Sequence, residues 1–152
     1  KHSFSPQEIE FRYAGKDIEN FKKVSSCLEG YCTIIVDNYI GINELRKLQA
    51  GAWVNSYVFN EESLFQHKTL ELMSAARPIL AVPIENQETL SIAKSVGAIF
   101  ETCGSPLEVV VALENFQEFT YSKIDMQIMS TYSWEAQAKN LEKVLDSIRV
   151  TV

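Results

Sequence analysis

The chain reads as a doubly wound α/β domain: one mostly parallel, five-stranded sheet flanked by helices. Three observations carry this. Five short runs rich in β-branched and aromatic residues alternate with helical patterns along the sequence. Strict alternation requires crossover connections, and these make parallel neighbours with helices on the faces. Finally, 152 residues with 46% hydrophobic and 22% charged side chains suit a single globular core of moderate size, residues 1–152, with no internal repeat or low-complexity segment.

Residues 1–7 are polar and without period, a frayed lead-in or the cut end of a longer chain. Ile9, Phe11 and Tyr13 then alternate with Glu10 and Arg12, the period of a strand. After a turn at residues 14–16, Asp17 caps a helix with Ile18, Phe21, Val24 and Leu28 on one face, and Gly30 closes it. Residues 31–36 (YCTIIV) make a second strand. Asn43 caps a short helix carrying Leu45, Leu48 and Ala52 inward, and residues 53–59 make the third strand. An acidic approach at residues 61–63 leads to a helix through Ala76, which the Arg77-Pro78 step breaks before the buried strand 79–82. Glu85 or Asn86 opens a helix through Leu90, Ala93 and Val96 that Gly97 closes, and residues 98–101 form the fifth strand. Ser105, Pro106 and Glu108 form a capping box with proline at the first helical position, on a helix that turns Val110, Leu113 and Phe116 inward. A closing helix over residues 130–150 spaces Trp134, Ala138, Leu141, Leu145 and Ile148 by four and three, a single apolar stripe.

The formal charge of −6, with both signs mixed along the chain, lacks the cationic stripe that nucleic acid requires. The longest apolar runs fall far short of a bilayer span, and no basic-then-apolar leader opens the sequence. Cys27, Cys32 and Cys103 fit neither a redox pair nor a zinc knuckle and point to free thiols in a reducing cytoplasm. With His2 and His67 the only histidines, no histidine-rich metal site is expected.

In doubly wound sheets ligands bind at the carboxyl ends of the strands, here residues 15–16, 38–39, 60–68 and 83–88. Gln66, His67 and Lys68 occupy a helix start that ordinarily favours acidic side chains. Two readings are open: an anion, typically a phosphate, docks there, or Glu61 and Glu62 supply the negative charge. Glu71 lies three residues beyond Lys68 on the same helical face. It forms either a surface pair or a row in which Lys68 meets a diphosphate and Glu71 accepts from ribose hydroxyls. Gly15-Lys16 lacks the rest of any phosphate-loop motif and is a turn, and Tyr39 either stacks on a base or covers its own loop. Ser63 has no nucleophile-elbow context, and Cys103 reads as packing.

The run HKTLELMSAARPILAVP, followed by ENQETL, SVGAIFE, SPLEVVVAL and the terminal YSWEAQAKNLEKVL, resembles the C-terminal, donor-binding half of GT-B fold glycosyltransferases. The likeness is to the retaining, metal-independent group 1 type that builds bacterial polysaccharide and lipopolysaccharide, and the order of elements agrees over residues 9–145. The resemblance implies a Rossmann-like fold that binds a nucleoside diphosphate sugar as substrate, with no cofactor and no metal. By position, Glu71 would bind the ribose, while Lys68 and the amides around Gln66 and His67 would face the diphosphate. Asn38 and Tyr39 would hold the base, and Asn86 and Glu88 would lie near the sugar or phosphate. The resemblance assigns no catalytic residue. Ser63 stands where the family has its first glutamate, with Glu61 and Glu62 close by. The family's initial strand and helix, with its phosphate-binding basic residue, and its N-terminal acceptor domain are not within these 152 residues. The chain is thus expected to be a fragment, inactive alone, of a cytoplasmic enzyme peripheral to the inner membrane. The competing expectation is a non-catalytic α/β ligand-sensing or receiver-like module. A receiver needs an acidic cluster after its first strand, where Asp17 is the one carboxylate.

Overall fold

The computed structural model describes residues 5–60, 62, 67–119 and 121–149, and the chain divides into two units, Lys1–Leu48 and Gln49–Val152. In the first, β1 (Glu10–Ala14) lies parallel to β2 (Thr33–Asp37), with Phe11 opposite Ile34 and Tyr13 opposite Val36. Helix α1 (Ile18–Ser25) makes the crossover and runs through a 3-10 turn, Ser26–Leu28, to Gly30 in the left-handed region at φ 85°. Phe21 of α1 stacks on Tyr13, with centroids 4.2 Å apart, and on Phe11 at 5.9 Å. Two local expectations change. The Asp17 carboxylate accepts from Asn20 Nδ2 at 3.1 Å, and its side chain makes no backbone cap bond. Val24 is exposed because Ser25, one position on, takes the buried place. Among the described residues of this unit no apolar side chain is fully buried. Helix α2 (Ile42–Gly51) opens on the Gly41 carbonyl, which accepts from the Leu45 N–H at 2.9 Å, so Asn43 is inside the helix rather than its cap.

In the second unit β3 (Asn55–Val58), β4 (Ile79–Val82) and β5 (Phe100–Thr102) lie parallel in that order. The five expected strands therefore form sheets of two and three rather than one five-stranded sheet. The class is α/β with parallel pairing throughout, as alternation requires. Periodicity records which faces a strand buries, not which strand lies beside it, so it could not show that β1 pairs with β2 and β3 with β4.

Around this sheet are α3 (His67–Ser74), α4 (Gln87–Val96), α5 (Pro106–Phe116), α6 (Met126–Ser130) and α7 (Trp134–Arg149). β4 is covered on both faces, as its unbroken apolar run demands. Ile79 and Ala81 pack with Tyr57, Leu72, Met73 and Ile92 from β3, α3 and α4, with α6 at the margin. Leu80 faces the other way into α5, against Ala112 and Phe116. The inner face of α5 is rotated from the expected one: Val109, Ala112 and Leu113 pack inward with Phe116, while Val110 is exposed.

Helix ends follow the local chemistry. α3 stops at Ser74, whose hydroxyl donates to the Leu70 carbonyl at 2.6 Å. Ala76, expected inside the helix, lies beyond it at φ 55°, ahead of the proline-restricted Arg77. Gly97 ends α4 at φ 77°, and a Cβ there would lie 2.7 Å from the Lys123 carbonyl oxygen, so both conformation and space call for glycine. The fifth strand begins at Phe100, two residues later than expected, because Ala98 still bonds back to the Ala93 carbonyl at 2.9 Å. Among the described residues no helix is long and apolar enough to cross a membrane.

Candidate functional site

Three parallel strands, each followed by a helix, bring the openings of α3, α4 and α5 to the carboxyl edge of the second sheet. At α5 the Ser105 hydroxyl accepts from the Glu108 N–H at 3.3 Å, and the Glu108 carboxylate reaches back to the Gly104 N–H at 2.8 Å. At α4 the Asn86 side chain accepts from the Thr89 N–H at 2.8 Å, which makes Asn86, of the two starts the sequence offers, the cap. Both helix starts are thus closed by their own side chains.

The first turn of α3 holds no acidic residue. Thr69, Leu72 and Met73 turn into the core, and this phase leaves His67, Lys68 and Glu71 on the exposed side. The two basic side chains and the carboxylate one turn later are therefore presented together, as the spacing requires. Gln66, together with Glu61 and Ser63, lies outside the described residues. Glu62 is exposed, and its N–H donates to Asn60 Oδ1 at 3.1 Å. Asn86 and Glu88 sit at the opening of α4, on the same sheet edge as α3. Asn38 and Tyr39 belong to the first unit, where they follow β2 at its carboxyl end and are exposed.

Three features have no local sequence signal. The His67 ring packs against Trp134, the first residue of α7, with centroids 4.9 Å apart and planes tilted by 38°. Buried Glu85, between β4 and α4, accepts from the Tyr57 hydroxyl and, at 2.8 Å, from the Asn86 N–H. Burial and, after it, the hydrogen bond to Glu85 raise the Tyr57 pKa well above the ordinary phenol value. In the first unit Arg12 grips Asp37, just ahead of Asn38, at 2.5 and 3.3 Å, and this bond holds the Asp37 carboxyl below its usual range. A hollow of about 510 Å³ beside α1 is lined by Lys22, Ser25, Cys32, Ile34 and Val36 among others. Its lining runs from Cys32 along β2 to Val36 and takes in Lys22 and Ser25 of α1.

Cys103 is buried, and burial, followed by the charges of Glu108 and Glu101, pushes its thiol pKa up. Thiolate is the reactive form, so Cys103 belongs to the core, as the sequence suggests. Under native conditions iodoacetamide should modify exposed Cys27 at least about tenfold faster than Cys103, and denaturant should equalise them. Peptide mapping of the alkylated protein checks this; equal native rates would count against the buried assignment.

Comparison with known proteins finds no family model, curated protein or solved structure that matches the chain.

Proposed function

We propose that the chain is the donor-binding half of a glycosyltransferase, receiving a nucleoside diphosphate sugar at the start of α3. The observation that carries this reading is the exposed row His67, Lys68 and Glu71 at the carboxyl edge of a parallel sheet. A diphosphate suits the positive helix end and Lys68. A ribose diol suits the Glu71 carboxylate one turn on. Asn86 and Glu88 would contact the sugar or phosphate, and the family likeness alone would assign the base to Asn38 and Tyr39. The acceptor domain would belong to another part of a parent chain.

In that enzyme the helix end and Lys68 would stabilise negative charge on the departing nucleoside diphosphate as the sugar bond breaks. The acceptor hydroxyl, on a polysaccharide, lipopolysaccharide or other glycan, would attack from the other half. Retention of configuration follows from the family likeness, and the fragment alone would not turn over.

A thermal-shift panel of UDP, GDP, ADP and their sugars tests the binding step. Ligand at about 100 times its Kd adds about 2.7 kcal/mol, a rise of several degrees for a unit of this size. Glu71→Ala should remove the shift while leaving the unliganded midpoint within about 0.5 kcal/mol, because Glu71 is exposed. A flat response to every nucleotide would favour a non-catalytic module instead.

A further inference from the structure

Helix α7 stands apart from the core after its first turn: residues 137–148 are exposed all round. Yet it bears a continuous apolar seam. Trp134 is 76% exposed, Leu141 60%, Leu145 50% and Ile148 59%, with Val144 alongside at 55%. With Ala138, the seam positions are separated by four, three, four and three residues, the repeat of a helix that packs against another helix. A solitary helix of this length is marginal in water, so a covering partner would contribute directly to its order.

We infer that the seam pairs with α7 of a second copy of this chain, antiparallel about a two-fold axis at Leu141. The side-chain sizes select this arrangement. In a parallel pair Trp134 would meet Trp134 and Ala138 would meet Ala138, crowding one layer and leaving a gap in the next. In the antiparallel pair Trp134 meets Ile148 of the second copy, Ala138 meets its Leu145, and Leu141 meets its twin, so that large faces small. The exposed seam amounts to roughly 600 Å² per copy, about 1,200 Å² for the pair, at the lower end of specific interfaces. Interfaces at this end of the range are weak and transient, so the pairing is expected to show at micromolar and higher concentrations. The seam is also self-complementary, as a two-fold contact requires. Glu142, next to the axis, meets its own copy, a like-charge contact that weakens the pair. Trp134 keeps its His67 contact, so Ile148 of the second copy would close over the outer side of that ring pair.

Sedimentation velocity of the full chain at concentrations up to about 500 μM tests this. The wild type should shift from monomer to dimer across that range, with the emission of Trp134 moving to shorter wavelength. Leu141→Glu should remain monomeric throughout, and because the position is exposed, the denaturation midpoint measured at high dilution should not move. Glu142→Gln should dimerise about two- to fivefold more tightly. A wild type that stays monomeric, a dimer indifferent to Leu141→Glu, or a monomer that instead cosediments with anionic vesicles would each overturn the pairing.

Discussion

Phe116→Ala should lower the stability of the second unit by about 3–5 kcal/mol. Phe116 is among the largest side chains fully enclosed in the fold, where it packs with Leu80, Cys103 and Ala112 between α5 and the sheet. Truncation loses its transfer free energy and leaves a void, because a backbone held by a parallel sheet cannot collapse to fill it. Val110→Ala on the same helix is the control. Val110 is exposed, so its loss should change stability by no more than about 0.5 kcal/mol. Both tryptophans, Trp53 and Trp134, lie in the second unit, so urea denaturation followed by tryptophan emission reads that unit alone. Equal effects at the two positions would contradict the observed orientation of α5.

The second large effect belongs to the Tyr57–Glu85 contact. Glu85→Ala strands the buried Tyr57 hydroxyl and the Asn86 N–H, and should cost about 2–3 kcal/mol. Tyr57→Phe leaves Glu85 Oε2 without its donor, while Oε1 keeps the Asn86 N–H, and should cost about 1–3 kcal/mol. The double variant should cost less than the sum, since the second change removes a group already left unpaired. The pH dependence has a definite sign. Folded Tyr57 holds its proton to higher pH than the unfolded residue, which titrates near pH ~10. The folded state therefore binds more protons in alkali, and stability is intact below about pH 10 and falls above it. The wild type should lose stability relative to Tyr57→Phe by up to about 1.4 kcal/mol per pH unit in that window. Parallel profiles for the two proteins would show that the hydroxyl is not held as described.

Much of this fold is written locally. The Asn86 cap, Gly30 and Gly97 in left-handed positions, and Ser105-Pro106 at the start of α5 are effects of neighbouring residues and fall where the sequence puts them. Strand partners are another matter, because pairing depends on groups far apart in the chain. The division into two sheets left no trace in the spacing of Ile9, Phe11 and Tyr13. Glu85 shows the same limit: a glutamate before a helix reads as exposed until Tyr57, 28 residues away, is found to cover it. The contact between His67 and Trp134 is longer in range still. Where an apolar stripe is broad, as on α5, sequence also leaves its orientation open by a residue. On α7 the stripe was legible, and the fold leaves it uncovered. At the candidate site, the helical phase of His67, Lys68 and Glu71 was readable because it depends on one helix alone.

The most direct test of nucleoside diphosphate binding at α3 is a titration of the ¹⁵N-labelled chain with UDP, GDP and ADP, followed by amide chemical shifts. Binding there means that one of these nucleotides saturably moves the amides of His67, Lys68 and Glu71, together with those around Asn86 and Glu88, and that Glu71→Ala abolishes the movement. Saturable shifts confined to other surfaces, or none with any nucleotide at millimolar concentration, would contradict it.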